Sequence, residues 1–158
     1  MMYRRSIIAF TLLIFSVFLF SQCDKNRVYE ENKEIPDAVW TRDHKITFPV
    51  EIKDSITPHN IYVNIRNSGS YPYRNIYLFI TTSSKGIIVK DTLECLLADE
   101  KGKWYGDGLG DLWDHQISFK KNIRFPHTGT YIFEFEQAMR SENLPMIVDV
   151  GLRVEKVR

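Results

Sequence analysis

Hydrophobic and polar residues alternate along two neighbouring stretches near the middle of the chain. Apolar side chains occupy every second position over residues 60–66, and the same pattern returns over residues 75–81. A period of two predicts β-strands that pack on a core by one face. The connection between them contains Gly69 and Pro72, which favour turns. We therefore expect these two strands to form an antiparallel pair joined by a long loop.

Similar alternation predicts further strands on both sides of this pair. They cover about residues 45–53, 87–97, 115–125, 130–137 and 146–157. Pro49 cannot donate a hydrogen bond to a neighbouring strand, so the strand that contains it is expected at a sheet edge. The chain shows no convincing helical period outside its first residues. Seven or eight short strands with turn signals between them predict an all-β fold, a single antiparallel β-sandwich.

The turn before the strand at residues 130–137 gives a hint of the connectivity. Gly129, Tyr131 and Phe133 alternate directly after Pro126. This spacing resembles a tyrosine corner, in which the phenol hydroxyl bonds to the backbone of a crossover between two sheets. It favours Greek-key or jelly-roll-like connectivity over a simple meander.

The first residues differ in composition from the rest of the chain. Arg4 and Arg5 precede an uncharged apolar run over residues 7–20, which is shorter than the roughly 20 residues of a membrane span. This order is typical of a secretory signal. Cys23 follows the apolar run where a bacterial lipobox places its cysteine, so we expect a diacylglycerol on its thiol and cleavage just before it. A retained anchor helix and an ordinary secreted protein are the alternatives.

These features predict three segments. Residues 1–22 form the lipoprotein signal peptide, residues 23–37 the lipidated N-terminus and a tether, and residues 38–158 the β-sandwich domain. The tether is charged and polar, although Tyr29 and Ile35 are suited to docking on the domain.

Charge and cysteine content narrow the function further. Cleavage before Cys23 removes Arg4 and Arg5 and changes the formal net charge from +1 to −1. Such a chain has no basic excess to attract nucleic acid or anionic lipid headgroups. With Cys23 lipidated, Cys95 has no partner for an intramolecular disulfide. Because Cys95 lies in an apolar run, we expect a buried, inert thiol.

The glycine-rich loop over residues 98–112 holds the richest candidate chemistry. Asp107, Asp111 and Asp114 could offer oxygens to Ca²⁺, but their spacing is not that of an EF-hand. A hydrogen-bonded structural loop is the favoured interpretation. The four histidines are scattered singly, and no motif for nucleotide binding or hydrolysis occurs. We expect no metal, no cofactor besides the covalent lipid, and no small-molecule substrate.

Three aromatic residues flank the stretch 106–111 of this loop, namely Trp104, Tyr105 and Trp113. Exposed aromatic rings on a β-sandwich can stack on sugars, whereas buried Trp and Tyr are typical anchors of protein interfaces. Many of the aromatic residues must also fill the core of a small domain. We favour partner binding for these three residues and keep carbohydrate binding as the alternative.

Taken in order, a series of short motifs resembles the GldH family of gliding-motility lipoproteins of the Bacteroidetes. The match spans essentially the whole chain after Cys23, and its specificity lies in the order and spacing of the motifs. They are Asn26-Arg27-Val28-Tyr29, Ile35-Pro36-Asp37-x-x-Trp40, Asn64-Ile65-Arg66-Asn67, Tyr71-Pro72-Tyr73-x-Asn75, Asp91-Thr92-Leu93-Glu94, Gly102-Lys103-Trp104-x-Gly106-x-Gly108-x-Gly110-Asp111, Arg124-Phe125-Pro126, Gly129-x-Tyr131, Gln137-Ala138-Met139-Arg140 and Asp149-Val150-Gly151-Leu152-Arg153-Val154-Glu155.

The resemblance implies a non-enzymatic outer-membrane lipoprotein that helps to assemble or stabilise the gliding apparatus, whose components overlap with type IX secretion. Its implied partners are the membrane, through the lipid anchor, and other envelope or gliding-machinery proteins. The family brings no catalytic residues, and Cys23 is the one functional residue that it implies. Asp24-Lys25 does not form the acidic run associated with surface display in these bacteria, which favours the periplasmic face. A carbohydrate-binding surface lipoprotein is the second interpretation, and a hydrolase is a distant third.

Overall fold

The computed structural model describes residues 24–157. The predicted signal peptide, Cys23 and the cleavage before it lie outside these residues. The described part folds into β-strands joined by turns, and no helix within it has the length and hydrophobicity of a membrane span. The strands are β1 (Arg27–Glu34), β2 (Val39–Thr41), β3 (Ile46–Ile52), β4 (His59–Ser68), β5 (Asn75–Ser84), β6 (Ile87–Leu96), β7 (Asp107–Leu109), β8 (Leu112–Ile123), β9 (Gly129–Gln137), β10 (Asn143–Pro145) and β11 (Ile147–Lys156).

The strands form two antiparallel sheets that pack face to face. One sheet has the order β1-β11-β4-β8-β7 and the other the order β3-β9-β5-β6, while β2 and β10 form a small separate pair. The eight long strands follow the order of a jelly roll: consecutive long strands switch sheets, except that β5 and β6 are neighbours in the same sheet. The predicted all-β sandwich is confirmed, and its connectivity is of the predicted Greek-key or jelly-roll kind.

The core lies between the two sheets and is filled by the inward-facing residues that the alternation identified. On β3 and β9 the aromatic side chains of Phe48, Phe133 and Phe135 are buried, and the rings of Phe48 and Phe135 lie 5.1 Å apart. Full burial of one such side chain is worth about 1.5–3 kcal/mol. Burial of these faces therefore sets the strand register, because a slip by one residue would turn each apolar row to solvent.

The prediction that the two central strands pair with each other is wrong. Strand β4 pairs with β11 and β8, whereas β5 pairs with β6 and β9 in the other sheet. Their apolar rows instead face each other across the core. The connection crosses between the sheets around Tyr71, which is buried and donates a hydrogen bond from its hydroxyl to the Asn75 carbonyl oxygen at 3.0 Å.

The segment predicted as a tether, residues 23–37, also needs correction. Arg27–Glu34 forms β1, an edge strand that pairs with β11. Ile35 follows it and is buried in the core. The folded domain therefore begins by Arg27 and not at residue 38. Strand β1 was missed because most of its side chains are exposed, so its sequence lacks an apolar row.

Three smaller predictions are confirmed. Strand β3, which contains Pro49, lies at an edge of its sheet. Tyr131 is buried and its hydroxyl bonds to the backbone of His127 at the crossover from β8 to β9, as a tyrosine corner requires. Cys95 is a buried free thiol, and burial raises its pKa to about 12. A thiol with this pKa is protonated at neutral pH and is a poor nucleophile.

Candidate functional site

The glycine-rich segment between β6 and β8 is ordered by hydrogen bonds within the segment. Asp99 caps its first turn, accepting hydrogen bonds from the Lys101 and Lys103 amides at 2.8 and 2.9 Å. Ala98 and Trp104 then form an isolated β-bridge. The remainder is a tight hairpin of β7 and β8, so the predicted loop over residues 98–112 contains a short strand.

The three aromatic candidates occupy different environments. Trp104 is half-buried against the core and its ring lies 6.4 Å from that of Tyr71 and 6.5 Å from that of Trp113. Trp113 is also half-buried, on β8. Tyr105 points to solvent with 64% of its surface exposed. The two tryptophans therefore belong to an aromatic cluster at the end of the sandwich, and Tyr105 is the exposed aromatic side chain of this site.

A glycine holds the hairpin against this cluster. Gly108 lies over the Trp113 indole, and a Cβ at this position would come within 2.8 Å of a ring carbon. Real Cβ contacts are not that short, so a larger residue would push the hairpin off the ring. The glycine in this motif is thus explained by close packing.

The three candidate calcium ligands do not form a cluster of carboxylates. Asp111 accepts a hydrogen bond from the Ser68 hydroxyl at 2.7 Å. Asp114 binds Arg66 through both carboxylate oxygens, at 2.5 and 3.3 Å. Within residues 24–157, no group of three or more His, Cys, Asp or Glu side chains is placed to hold a metal ion. The hydrogen bonds of Asp111 and Asp114 agree with a structural loop.

Sequence reasoning missed a polar groove on the outer face of the five-stranded sheet. Its cavity is about 220 Å³. At its centre Arg66 lies between Asp114 and Asp149, with Nη1 3.0 Å from an Asp149 carboxylate oxygen. Burial raises the pKa of Asp149, while the nearby Arg66 opposes that shift. Asp107 lies opposite Asp114 across β7 and β8 and lines the same groove.

A row of amide side chains extends this groove towards β1. The Asn64 amide donates to the Asn32 side-chain oxygen, and Gln116 donates to that of Asn64, both at 3.3 Å. The Asn32 side chain can reach Asn64 because the residue between them on β11 is Gly151. A Cβ at Gly151 would come within 1.7 Å of the Asn32 side-chain oxygen. In the sequence, these amide residues appear only as the polar positions of strands whose alternate positions are apolar.

His115 lies behind the groove and faces Trp104, with ring centroids 6.2 Å apart. It is buried, and burial lowers its pKa. Its Nε2 has no hydrogen-bond partner among the described residues. His115 is therefore neutral at pH 7 and packs as part of the aromatic cluster.

Known proteins match this chain over nearly all of its described residues. The family model for the GldH lipoprotein matches residues 27–154. The gliding motility lipoprotein GldH homolog of Christiangramia forsetii is 35% identical over 160 residues, which cover 96% of this chain and 98% of that protein. The gliding motility lipoprotein GldH of Flavobacterium johnsoniae is 34% identical over 153 residues, covering 92% and 94% of the two chains.

Solved structures also resemble this chain, and one of them shows how distant the likeness is. The structure of TmCBM61 in complex with beta-1,4-galactotriose aligns with a TM-score of 0.32 and 12% identity, covering 82% of this chain and 88% of that one. A likeness at this level bears on neither the fold nor the function of the chain.

Proposed function

This chain belongs to the GldH lipoprotein family, and from that premise we propose that it is a lipid-anchored, non-enzymatic component of the gliding-motility apparatus. The observation that carries the proposal is the near full-length match to two gliding motility lipoproteins at 34–35% identity. We place the protein in the outer membrane, anchored by a lipid on Cys23 and facing the periplasm. There it assembles or stabilises envelope machinery linked to type IX secretion.

The contacts of the reactive side chains support a binding role over catalysis. The Arg66 guanidinium is engaged by both Asp114 and Asp149, so each of these three side chains already has a charged partner within the fold. Cys95 and His115 are buried and uncharged at neutral pH. Groups held in this way fix the shape of a surface, whereas a catalytic acid or base needs access to a substrate.

Tyr105 and the adjoining groove are the surface that we assign to a partner protein. Tyr105 is exposed, while its amide donates to the Leu97 carbonyl oxygen at 2.9 Å, so its backbone is fixed and its side chain is free. Tyrosine with polar groups beside it is the usual composition of an interface anchor. Trp104 and Trp113 support this surface from below.

A deletion strain tests the proposed function. We expect loss of colony spreading, of adhesin display or of type IX secretion, and restoration of each by the wild-type chain but not by Cys23→Ser. Adhesin display and secretion can be measured even in a source organism that does not glide. A deletion strain that matches its parent in all three would contradict the proposal.

A further inference from the structure

Among the described residues, strand β6 has no partner strand on its second side along its whole length. It closes the sheet of order β3-β9-β5-β6 and is paired on one side with β5. The Leu97 amide donates to the Arg74 carbonyl oxygen on the β5 side, at 2.8 Å. Because backbone groups alternate in direction along an antiparallel strand, the residues with even numbers direct their N–H and C=O groups away from β5. These are Ile88, Lys90, Thr92, Glu94 and Leu96.

Of the devices that normally prevent association at a sheet edge, strand β6 has only charged side chains, namely Lys90, Asp91 and Glu94. Natural edge strands are short, bulged, interrupted by proline or strongly charged. Strand β6 has ten residues in unbroken register with β5, and Ile88 is 71% and Leu96 51% exposed. Exposed apolar side chains beside unpaired backbone groups mark a surface that another strand can cover.

The sandwich is open along the same edge. Ile87 and Val89 face the opposite sheet but stay 55% and 46% exposed, and they line an apolar cavity of about 140 Å³ with Phe119. Further along β6 the gap is bridged by an ion pair in which Lys120 lies 2.7 Å from Asp91. A strand added to β6 would therefore extend the sheet over the exposed side of the core.

The side chains of β6 are complementary to themselves. In an antiparallel pair, residues directly opposite each other lie on the same face. If two copies of β6 meet around a twofold axis at Thr92, Lys90 of each copy lies opposite Glu94 of the other, and Ile88 opposite Leu96. This register produces two attractive charge pairs and two apolar pairs from one strand sequence.

Moving the twofold axis by one or two residues towards the start of β6 gives less favourable side-chain pairs. An axis at Asp91 would place the two Asp91 carboxylates against each other and Ile88 against Glu94. An axis at Lys90 would oppose two lysines. Like charges directly opposite in a sheet are destabilising, which disfavours these two axes. An axis at Leu93 would oppose no like charges, but it would place Lys90 opposite Leu96 and so form neither attractive charge pair. The axis at Thr92 is the one that forms both.

We propose that β6 pairs with β6 of a second copy of this chain, antiparallel and with Thr92 on the twofold axis, which joins the two four-stranded sheets into one. Lys90 and Glu94 are both exposed and can reach the second copy. Lys90 Nζ now lies 4.6 Å from the Phe79 ring centre, and Glu94 accepts a hydrogen bond from the Asn75 amide at 2.7 Å. The proposal does not depend on which envelope protein the chain binds.

Cysteine crosslinking of the full-length protein in its own membrane tests the register. Opposed residues of a hydrogen-bonded pair have Cα atoms about 5.5 Å apart, which a disulfide can span. We expect Thr92→Cys to give a covalent dimer on mild oxidation. The matched control is Ser83→Cys, on the same outer face but one strand inside the edge, and it should stay monomeric. A Thr92→Cys chain that stays monomeric, or links to a protein of another mass, would overturn the proposal.

Exchanging the charges of Lys90 and Glu94 gives a second test, in which recovery by the double variant distinguishes loss of pairing from misfolding. Lys90→Glu or Glu94→Lys alone makes both symmetric contacts repulsive, and each should weaken self-association of the detergent-solubilised protein by about tenfold or more. The double variant Lys90→Glu/Glu94→Lys restores opposite charges and should recover the dimer. Single variants that associate like the wild type, or a double variant that fails to recover, would refute the register.

Discussion

The Tyr131 hydroxyl forms two hydrogen bonds with the backbone of His127, donating to its carbonyl oxygen at 3.0 Å and accepting from its amide at 3.3 Å. The two rings stack with centroids 5.1 Å apart. His127 lies in the crossover from the five-stranded to the four-stranded sheet. One side chain thus fixes the path by which the chain changes sheet.

This corner predicts a large effect of removing the Tyr131 ring. Tyr131→Ala should lower the free energy of unfolding by about 3 kcal/mol or more, as truncations of buried aromatic residues do. Tyr131→Phe keeps the ring and should cost about 1–2 kcal/mol for the lost hydrogen bonds. Urea unfolding of the purified domain measures both. An alanine variant as stable as the parent would mean that the corner does not hold the crossover.

Two carboxylates should give opposite dependences of stability on pH. Burial raises the pKa of Asp149 in the folded state, so its protonated form favours folding, and this contribution is lost as pH rises through the raised pKa. Asp54 binds Lys156 and the Thr57 amide, which lower its pKa. Its contribution is present above the unfolded-state pKa and lost as pH falls towards the lowered pKa.

Asparagine variants separate these two effects. Between about pH 3 and pH 7, Asp149→Asn should gain stability relative to the wild type as pH rises, and Asp54→Asn should lose it. Urea midpoints at several pH values give both slopes. Parallel slopes in the two variants would contradict the assignment of the shifts to burial at Asp149 and to hydrogen bonding at Asp54.

The aromatic residues of the glycine-rich segment should differ in their effect on stability. Trp104→Ala removes a half-buried ring from the cluster with Tyr71 and Trp113 and should cost about 2 kcal/mol. Tyr105→Ala truncates an exposed side chain and should change stability by about 0.5 kcal/mol or less. Thermal unfolding followed by circular dichroism compares the two. Equal destabilisation by both variants would show that Tyr105 is not a free surface residue.

The anchor gives a prediction outside the described residues. Cys23→Ser should abolish lipid attachment, because the diacylglycerol is transferred to a thiol, and processing of the signal peptide should then stall. Metabolic labelling with a fatty-acid analogue measures this directly. Label retained by the serine variant would exclude Cys23 as the acylation site.

Much of the fold could be predicted from the sequence because the burial of one strand face produces a local pattern of apolar and polar residues. The strands with one buried face, β3, β4 and β9, show an alternation that is visible residue by residue. The choice of partner strand produces no such pattern in the sequence. The inward rows of β4 and β5 look the same whether the strands are neighbours or face each other across the core, and only the burial of Tyr71 in the connection separates the two cases.

The site was predicted in part for the same reason. The glycine-rich segment and its aromatic residues are adjacent in the sequence, so they were found. The groove joins Arg66 to Asp114 and to Asp149, which are far apart along the chain. Arg66 and Asp149 occur in stretches that carry the family resemblance, but nothing local indicates that they meet. Tertiary pairing of β4 with β8 and β11 is what brings them together.

If the domain works by binding envelope proteins through the surface around Tyr105, Tyr105→Ala should detach a partner without unfolding the domain. The measurement is co-purification of crosslinked envelope complexes from cells with this variant, run beside circular dichroism and a glycan array on the purified domain. Arg140→Ala, a change at an exposed residue outside the assigned surface, is the matched control. We predict a folded Tyr105→Ala protein that has lost a partner retained by the control. A folded variant that keeps every partner but loses a glycan bound by the parent would contradict the claim.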